Sequence, residues 1–186
     1  MYDAPEAATN NGHDMNAQEQ LIERFYRAFA ALDTDTMAAC YADDATFDDE
    51  AFSLRGRDEV SGMWRMLADA TRTSQAAGAP PGRLEYSGIP ADAQQGQAHW
   101  EAYYTFSATG RQVHNIIDAH FTFNAQGLIA VHRDRFAFWR WSRQALGAPG
   151  LLLGWTPMLK AKIRERAAGN LRNYLAAQQK KSPSQA

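Results

Sequence analysis

His132 and Asp134 stand two residues apart in the strand-like segment Leu128 to Trp139. Imidazole titrates near neutrality, and a carboxylate beside it can fix which ring nitrogen holds the proton, so the pair suits proton transfer. The competing reading is a hydrogen-bonded core histidine, with Asp134 paired to Arg133 or Arg135 near the strand's open end. In the acidic run Asp48-Asp49-Glu50, a carboxylate either serves as a base or caps a loop. His114, Asp118 and His120 raise the question of a metal. Along an extended strand His114 and His120 lie about 20 Å apart, too far to share one mononuclear site, and no metal is expected. Lys160, Lys162, Arg164, Arg166 and Arg172 cluster without a nucleic-acid motif or stacking surface, so nucleic acid is not an expected partner. No glycine loop for phosphates and no serine nucleophile elbow occurs, and no cofactor is expected.

The elements that must position these groups follow from the periodicity. With 186 residues, 45% hydrophobic and 22% charged, the chain fits one soluble domain. Residues 1–15 are small and polar and read as a disordered arm, as does the tail over 179–186. Asn16 and Glu19 form a capping-box pattern ahead of Leu21, Ile22, Phe25, Phe29 and Leu32 at helical spacing. A short second helix carries Met37, Cys40 and Tyr41 and ends at Asp43-Asp44, and Thr46 to Asp49 reads as a short strand. A third helix spans about Asp58 to Ala76, with Val60, Met63, Trp64 and Leu67 as its stripe, and Pro80-Pro81-Gly82 lies beyond its end. The period then becomes strand-like over Arg83 to Ile89, Gln97 to Ser107, Val113 to Phe123 and Leu128 to Trp139. The last three are joined by links too short for anything but antiparallel neighbours.

Beyond Trp139 an extension over 140–178 is expected to pack on the same domain or on a second subunit, as a lid or an intersubunit element. It is interrupted by Gly147-Ala148-Pro149-Gly150 and holds the apolar run Leu151 to Trp155, then a basic helix with Leu159, Ile163, Leu171, Tyr174 and Leu175. Gly and Pro break its apolar face, so no membrane contact is expected. Charge is uneven: residues 1–50 carry 12 acidic and 2 basic groups, and 133–186 carry 11 basic and 2 acidic ones. Cys40 is the only cysteine, and no secretory signal precedes the domain, so a cytoplasmic location is expected.

The stretch Ala42-Asp43-Asp44-Ala45-Thr46-Phe47-Asp48-Asp49 after two helices resembles the NTF2-like superfamily, in particular ketosteroid isomerases and SnoaL-type polyketide cyclases. Leu54-Arg55-Gly56-Arg57-Asp58, Gly110-Arg111 and His120 to Ile129 extend the resemblance over about residues 18–138. It implies an α+β, cystatin-like cone: three N-terminal helices on a strongly curved, mixed but mainly antiparallel sheet, commonly paired as a homodimer through the outer sheet face.

The resemblance also implies site residues. Ketosteroid isomerases place a carboxylate base where this chain has Asp49. Their oxyanion donors fall at Phe25 and Ala119, which cannot donate a hydrogen bond; Tyr26 and Asp118 are each one position away. A bulge near Ala119 would be needed to turn Asp118 inward. Strand parity then places Asn115, Ile117, Ala119 and Phe121 inward, and His114, Ile116, Asp118 and His120 outward. The resemblance adds His132, Asp134, Trp100, Tyr104 and Phe106 to the inward set, with Phe25 and Trp64 from the helices. The expectation is an aromatic pocket for a small apolar or aromatic molecule with one or two oxygens, in either an acid–base isomerase, cyclase or dehydratase or a non-catalytic binding module.

Overall fold

The computed structural model describes residues 14–181. Most of the expected arm and tail lies outside these residues, and within them the final helix continues to Lys181. Helix α1 (Ala17–Ala30) begins with a complete capping box: the Asn16 side chain accepts from the amides of Gln18 and Glu19, and the Glu19 carboxylate accepts from Asn16 N at 2.9 Å. Its stripe buries Leu21, Ile22, Phe25 and Tyr26. Each such side chain contributes about 1.5–3 kcal/mol by leaving water.

Helix α2 (Thr34–Ala39), capped by Asp33, stops earlier than its local pattern predicts. Tyr41 is not helical but opens strand β1 (Tyr41–Asp48). The cause is tertiary. The Cys40 carbonyl accepts from Ile129 N at 2.9 Å, and Tyr41 lies in parallel register with Ile129, so pairing with a strand far along the chain overrides the helix-like run. Next come β2 (Ser53–Arg55), α3 (Arg57–Ala76), β3 (Arg83–Ser87), β4 (Gln95–Phe106), β5 (Arg111–Phe123) and β6 (Ile129–Phe136).

The six strands form one sheet in the order β2-β1-β6-β5-β4-β3, antiparallel except for the parallel β1–β6 pair. Helices α1 and α3 cover one face, and the core lies between them and Trp100, Ile117, Ala119, Phe121 and His132. Gly96 lets α1 come close: a Cβ there would lie 2.7 Å from Ile22 Cδ1.

Strand β6 ends opposite Ile117, which leaves the first residues of β5 without a partner on that side. Helix α4 (Phe138–Leu146) fills the place, starting earlier than the pattern predicts, because Phe136 ends the strand and Phe138 already belongs to the helix. Gln144 accepts from His114 N at 2.9 Å and donates to His114 O at 3.1 Å, doing with an amide side chain what a neighbouring strand would do. Val113, Trp141 and Ala145 form a second buried cluster there.

Helix α5 (Ala148–Leu153) packs on α4, and α6 (Pro157–Lys181) returns over the domain. Arg164 donates to the carbonyls of Asp49 at 2.7 Å and Glu50 at 3.0 Å, and Lys160 pairs with Glu50. Further on, Leu171 is buried, Leu175 lies against Gly62, and Tyr174 donates to Asp69 at 2.7 Å. In the run Leu151 to Trp155, Leu151, Leu152, Leu153 and Trp155 are all exposed on the single chain.

Candidate functional site

His132 lies on the inner face of β6 at 1% exposure, and Asp134, two residues on, at 3%. Their atoms meet directly, with Nε2 of His132 3.0 Å from Oδ1 of Asp134. The other ring nitrogen, Nδ1, is 2.7 Å from the hydroxyl of Tyr41, which accepts from Trp64 Nε1 at 3.1 Å. One arrangement of protons satisfies this whole chain of contacts. An indole N–H only donates, so the Tyr41 hydroxyl accepts from Trp64, and its own proton finds an acceptor when Nδ1 is unprotonated. In that tautomer Nε2 carries the ring proton and donates to Asp134, whose Oδ1 also takes a long contact from Trp100 Nε1 at 3.4 Å. Both ring nitrogens of His132 thus have partners within the core. Asp134 bonds within the core rather than to Arg133 or Arg135, whose side chains are on the exposed side of the strand.

Asp49 follows the last residue of β1. Alternation sends Phe47 inward and Asp48 outward, where Asp48 meets Ser53 and Arg55. Asp49 is half-buried, and its Oδ1 accepts from the amides of Ala51 at 2.6 Å and Phe52 at 2.5 Å. Asp49 N in turn donates to Phe52 O at 3.0 Å, so the loop closes on this side chain. Burial is the main cause that pushes its carboxyl up to about 7; the two amide bonds oppose this, and the charges of Asp134 and Glu50 add to it. Asp49 is thus both the loop cap and a carboxyl poised near neutrality.

Two buried phenols feel the charges of these acids, Tyr104 that of Asp49 and Tyr26 that of Asp134. Tyr104 donates no proton to Trp141 but accepts from its Nε1 at 2.9 Å, and burial, with a contribution from Asp49, pushes Tyr104 up to about 12. Tyr26 is fully buried and raised well above its ordinary value, first by burial and then by Asp134. Among the described residues its hydroxyl has no hydrogen-bond partner. The one-residue step from Phe25 therefore does not remove Tyr26 from the core, because the buried stripe of α1 is wide enough to include both. Asp118 is different. Ala119 stands opposite Ala98 and Asp134 in unbroken register, the irregularity of β5 falls between Thr122 and Phe123, and Asp118 stays on the outer face, 2.8 Å from His99.

The expected pocket walls separate into two groups. Phe25, Trp64 and Phe121 crowd His132, with ring centroids 5.6, 6.2 and 4.4 Å away, while Trp100 packs on Tyr26 and Phe29. Ile117 and Ala119 are buried in the same cluster. Tyr104 and Phe106 lie under α4 with Trp141, and Asn115 is half-buried opposite Ala102. The space expected to be open beside His132 is thus occupied by rings. Clefts lie elsewhere, one along α1 from Gln20 to Thr36 and one on the outer sheet face beside His99, Asp118 and His120. Among the described residues no group of histidine, cysteine and acidic side chains is arranged to hold a metal ion. The sequence reading missed Tyr41, Trp141 and Arg164. Tyr41 stood beside an identified motif and Arg164 within the basic cluster, but the contact of Tyr41 with His132 spans 91 positions.

A six-stranded mixed sheet covered by N-terminal helices, with an apolar inner face that holds the buried His132 and Asp134, is the NTF2-like architecture. A model of the SnoaL-like domain matches residues 22–132, and the chain belongs to that family. Among solved structures it is similar to a LEH-like epoxide hydrolase from M. tuberculosis, with 19% identity, a TM-score of 0.51, and coverage of 76% of this chain and 94% of that one. It is also similar to a putative polyketide cyclase from Xanthomonas campestris pv. campestris, at 18% identity and a TM-score of 0.55, covering 69% of this chain and 96% of that one. At such identities the likeness concerns the fold. No curated protein matches the chain significantly.

Proposed function

We propose that the chain binds a small, mostly apolar molecule carrying one or two oxygens and moves a proton within it, in an isomerisation, cyclisation or dehydration that needs no cofactor. The observation that carries this reading is Asp49: a carboxyl held by two backbone amides and poised near neutrality, within electrostatic reach of Asp134 and Tyr104. With Oδ1 anchored by the amides, the second oxygen is the one to take and return a proton. Tyr104 and Tyr26, both kept protonated by burial, supply the donors that Phe25 and Ala119 lack, and the free hydroxyl of Tyr26 suits a substrate oxygen. The His132–Asp134 pair fixes the negative charge behind them. Substrate entry requires α4 and α6 to move, because Trp141 covers Tyr104 and Arg164 holds the Asp49 loop. The outer sheet face around His99 and His114 is the proposed surface for a homodimer.

A second reading has its own support. Both ring nitrogens of His132 are engaged within the chain, and rings fill the interior, which suits a non-catalytic binding or interaction module. One experiment separates the two: α-proton exchange of alicyclic and aromatic ketones in D2O, followed by NMR, with the Ala51 and Phe52 amides as reporters of Asp49. The catalytic reading expects exchange that falls by at least about a hundredfold in Asp49→Asn, the smaller end of a general base's contribution. Ligand binding without exchange, or exchange equal in the two proteins, favours the module.

A further inference from the structure

Helix α5 is built inside out. The positions facing α4 are Gly150 and Gly154, both buried, and a Cβ on Gly150 would overlap the carbonyl oxygen of Ser142. A Cβ on Gly154 would overlap the Ser142 hydroxyl, so these glycines let α5 and its C-cap seat directly on α4. The large apolar residues are turned to the outside: Leu151 is 52% exposed, Leu152 67%, Trp155 74% and Met158, at the start of α6, 69%. Trp139, 42% exposed, adjoins them by donating to Leu151 O at 3.2 Å, and Trp155 donates to Leu152 O at 3.1 Å. With both indole N–H groups satisfied internally, the rings offer apolar surface outward. Apart from Leu67, every exposed large apolar side chain among the described residues belongs to this one patch.

Charge selects the occupant. The patch sits within the basic part of the chain, where residues 133–186 hold 11 basic and 2 acidic groups. Arg143 lies over the Trp139 ring at 4.9 Å, and Lys162 and Arg166 are exposed on α6 just beyond Met158. A second copy of the chain fits poorly. Patch against patch would bring like charges together, and the acidic N-terminal half, with exposed Asp43 and Asp44, offers only Leu67 as an exposed large apolar side chain among its described residues. A bilayer surface with anionic headgroups satisfies both halves, with leucine and tryptophan entering the acyl boundary and basic groups meeting the lipid charge. We propose that α5 and the adjoining turn dock this protein on an anionic membrane surface. No described helix is long and apolar enough to cross a membrane, and the contact is interfacial.

The test is flotation of the full chain with vesicles of phosphatidylcholine alone or mixed with phosphatidylglycerol, with sedimentation velocity run on the same samples without lipid. The proposal expects binding to the mixed vesicles and a loss of at least about tenfold in the double variant Leu152→Ser, Trp155→Ser. It further expects about a fivefold loss for each of Lys162→Glu and Arg166→Glu, or more, since the charge is reversed. These side chains are exposed, so thermal unfolding should match the parent and confirm that the variants fold. Absence of flotation, flotation unchanged by the substitutions, or equal flotation with both vesicle types overturns the proposal. So does a dimer in the parent that dissociates in the double variant, which would make a second copy the occupant.

Discussion

Replacing Asp49 with asparagine keeps an oxygen for the amides of Ala51 and Phe52 but removes the charge, and the structure sets the direction and size of the effect. The folded-state carboxyl is raised from 3.8 to about 7, chiefly by burial. Below pH 4 the group is protonated in both states and is neutral for stability. Between pH 4 and 7 the unfolded chain releases its proton while the folded one keeps it, so stability falls as pH rises; above 7 both forms are ionised and the full cost is present. About three pH units at about 1.36 kcal/mol each correspond to about 4 kcal/mol. Because Asp49 is only half-buried, water screens part of this, and about 2–4 kcal/mol is expected. Asp49→Asn should therefore match the parent near pH 4 and exceed it by about 2–4 kcal/mol at pH 8.5, a gain typical of a site that trades stability for function. Urea unfolding at the two pH values measures it. An asparagine variant equal to or less stable than the parent at pH 8.5 refutes the claim that this carboxylate is held in an unfavourable environment.

Two further outcomes follow from the packing. Tyr41→Phe deletes the hydroxyl between Trp64 Nε1 and His132 Nδ1, leaving a buried donor and a buried acceptor unpaired, at a cost of about 2–5 kcal/mol in urea unfolding; a change below about 0.5 kcal/mol would show that the relay is not formed. Gly150→Ala should lose about 1–3 kcal/mol, since its Cβ meets the Ser142 backbone, whereas Gly62→Ala, which meets only the mobile end of Leu175, should lose less. Thermal unfolding of the two variants side by side checks the ranking.

Much of this protein is written locally. The Asn16–Glu19 box, the apolar stripe of α1 and the strand alternation that separates Asp118 from Ala119 are properties of neighbouring residues, and a rule of spacing reads them directly. Alternation also suffices to put His132 and Asp134 on one face. What those two side chains do there depends on Tyr41, Trp64 and Trp100, which lie up to 91 positions away and reach them only when β1 pairs with β6. The same holds for Asp49, whose ordinary carboxyl becomes a group near neutrality through burial under distant segments, and for Leu151 to Trp155, whose apolar composition predicts packing while two glycines seat the helix with its leucines outward. Periodicity is a property of one segment, whereas dielectric environment and hydrogen-bond satisfaction belong to all the segments that meet at a point, so only the folded chain could decide them.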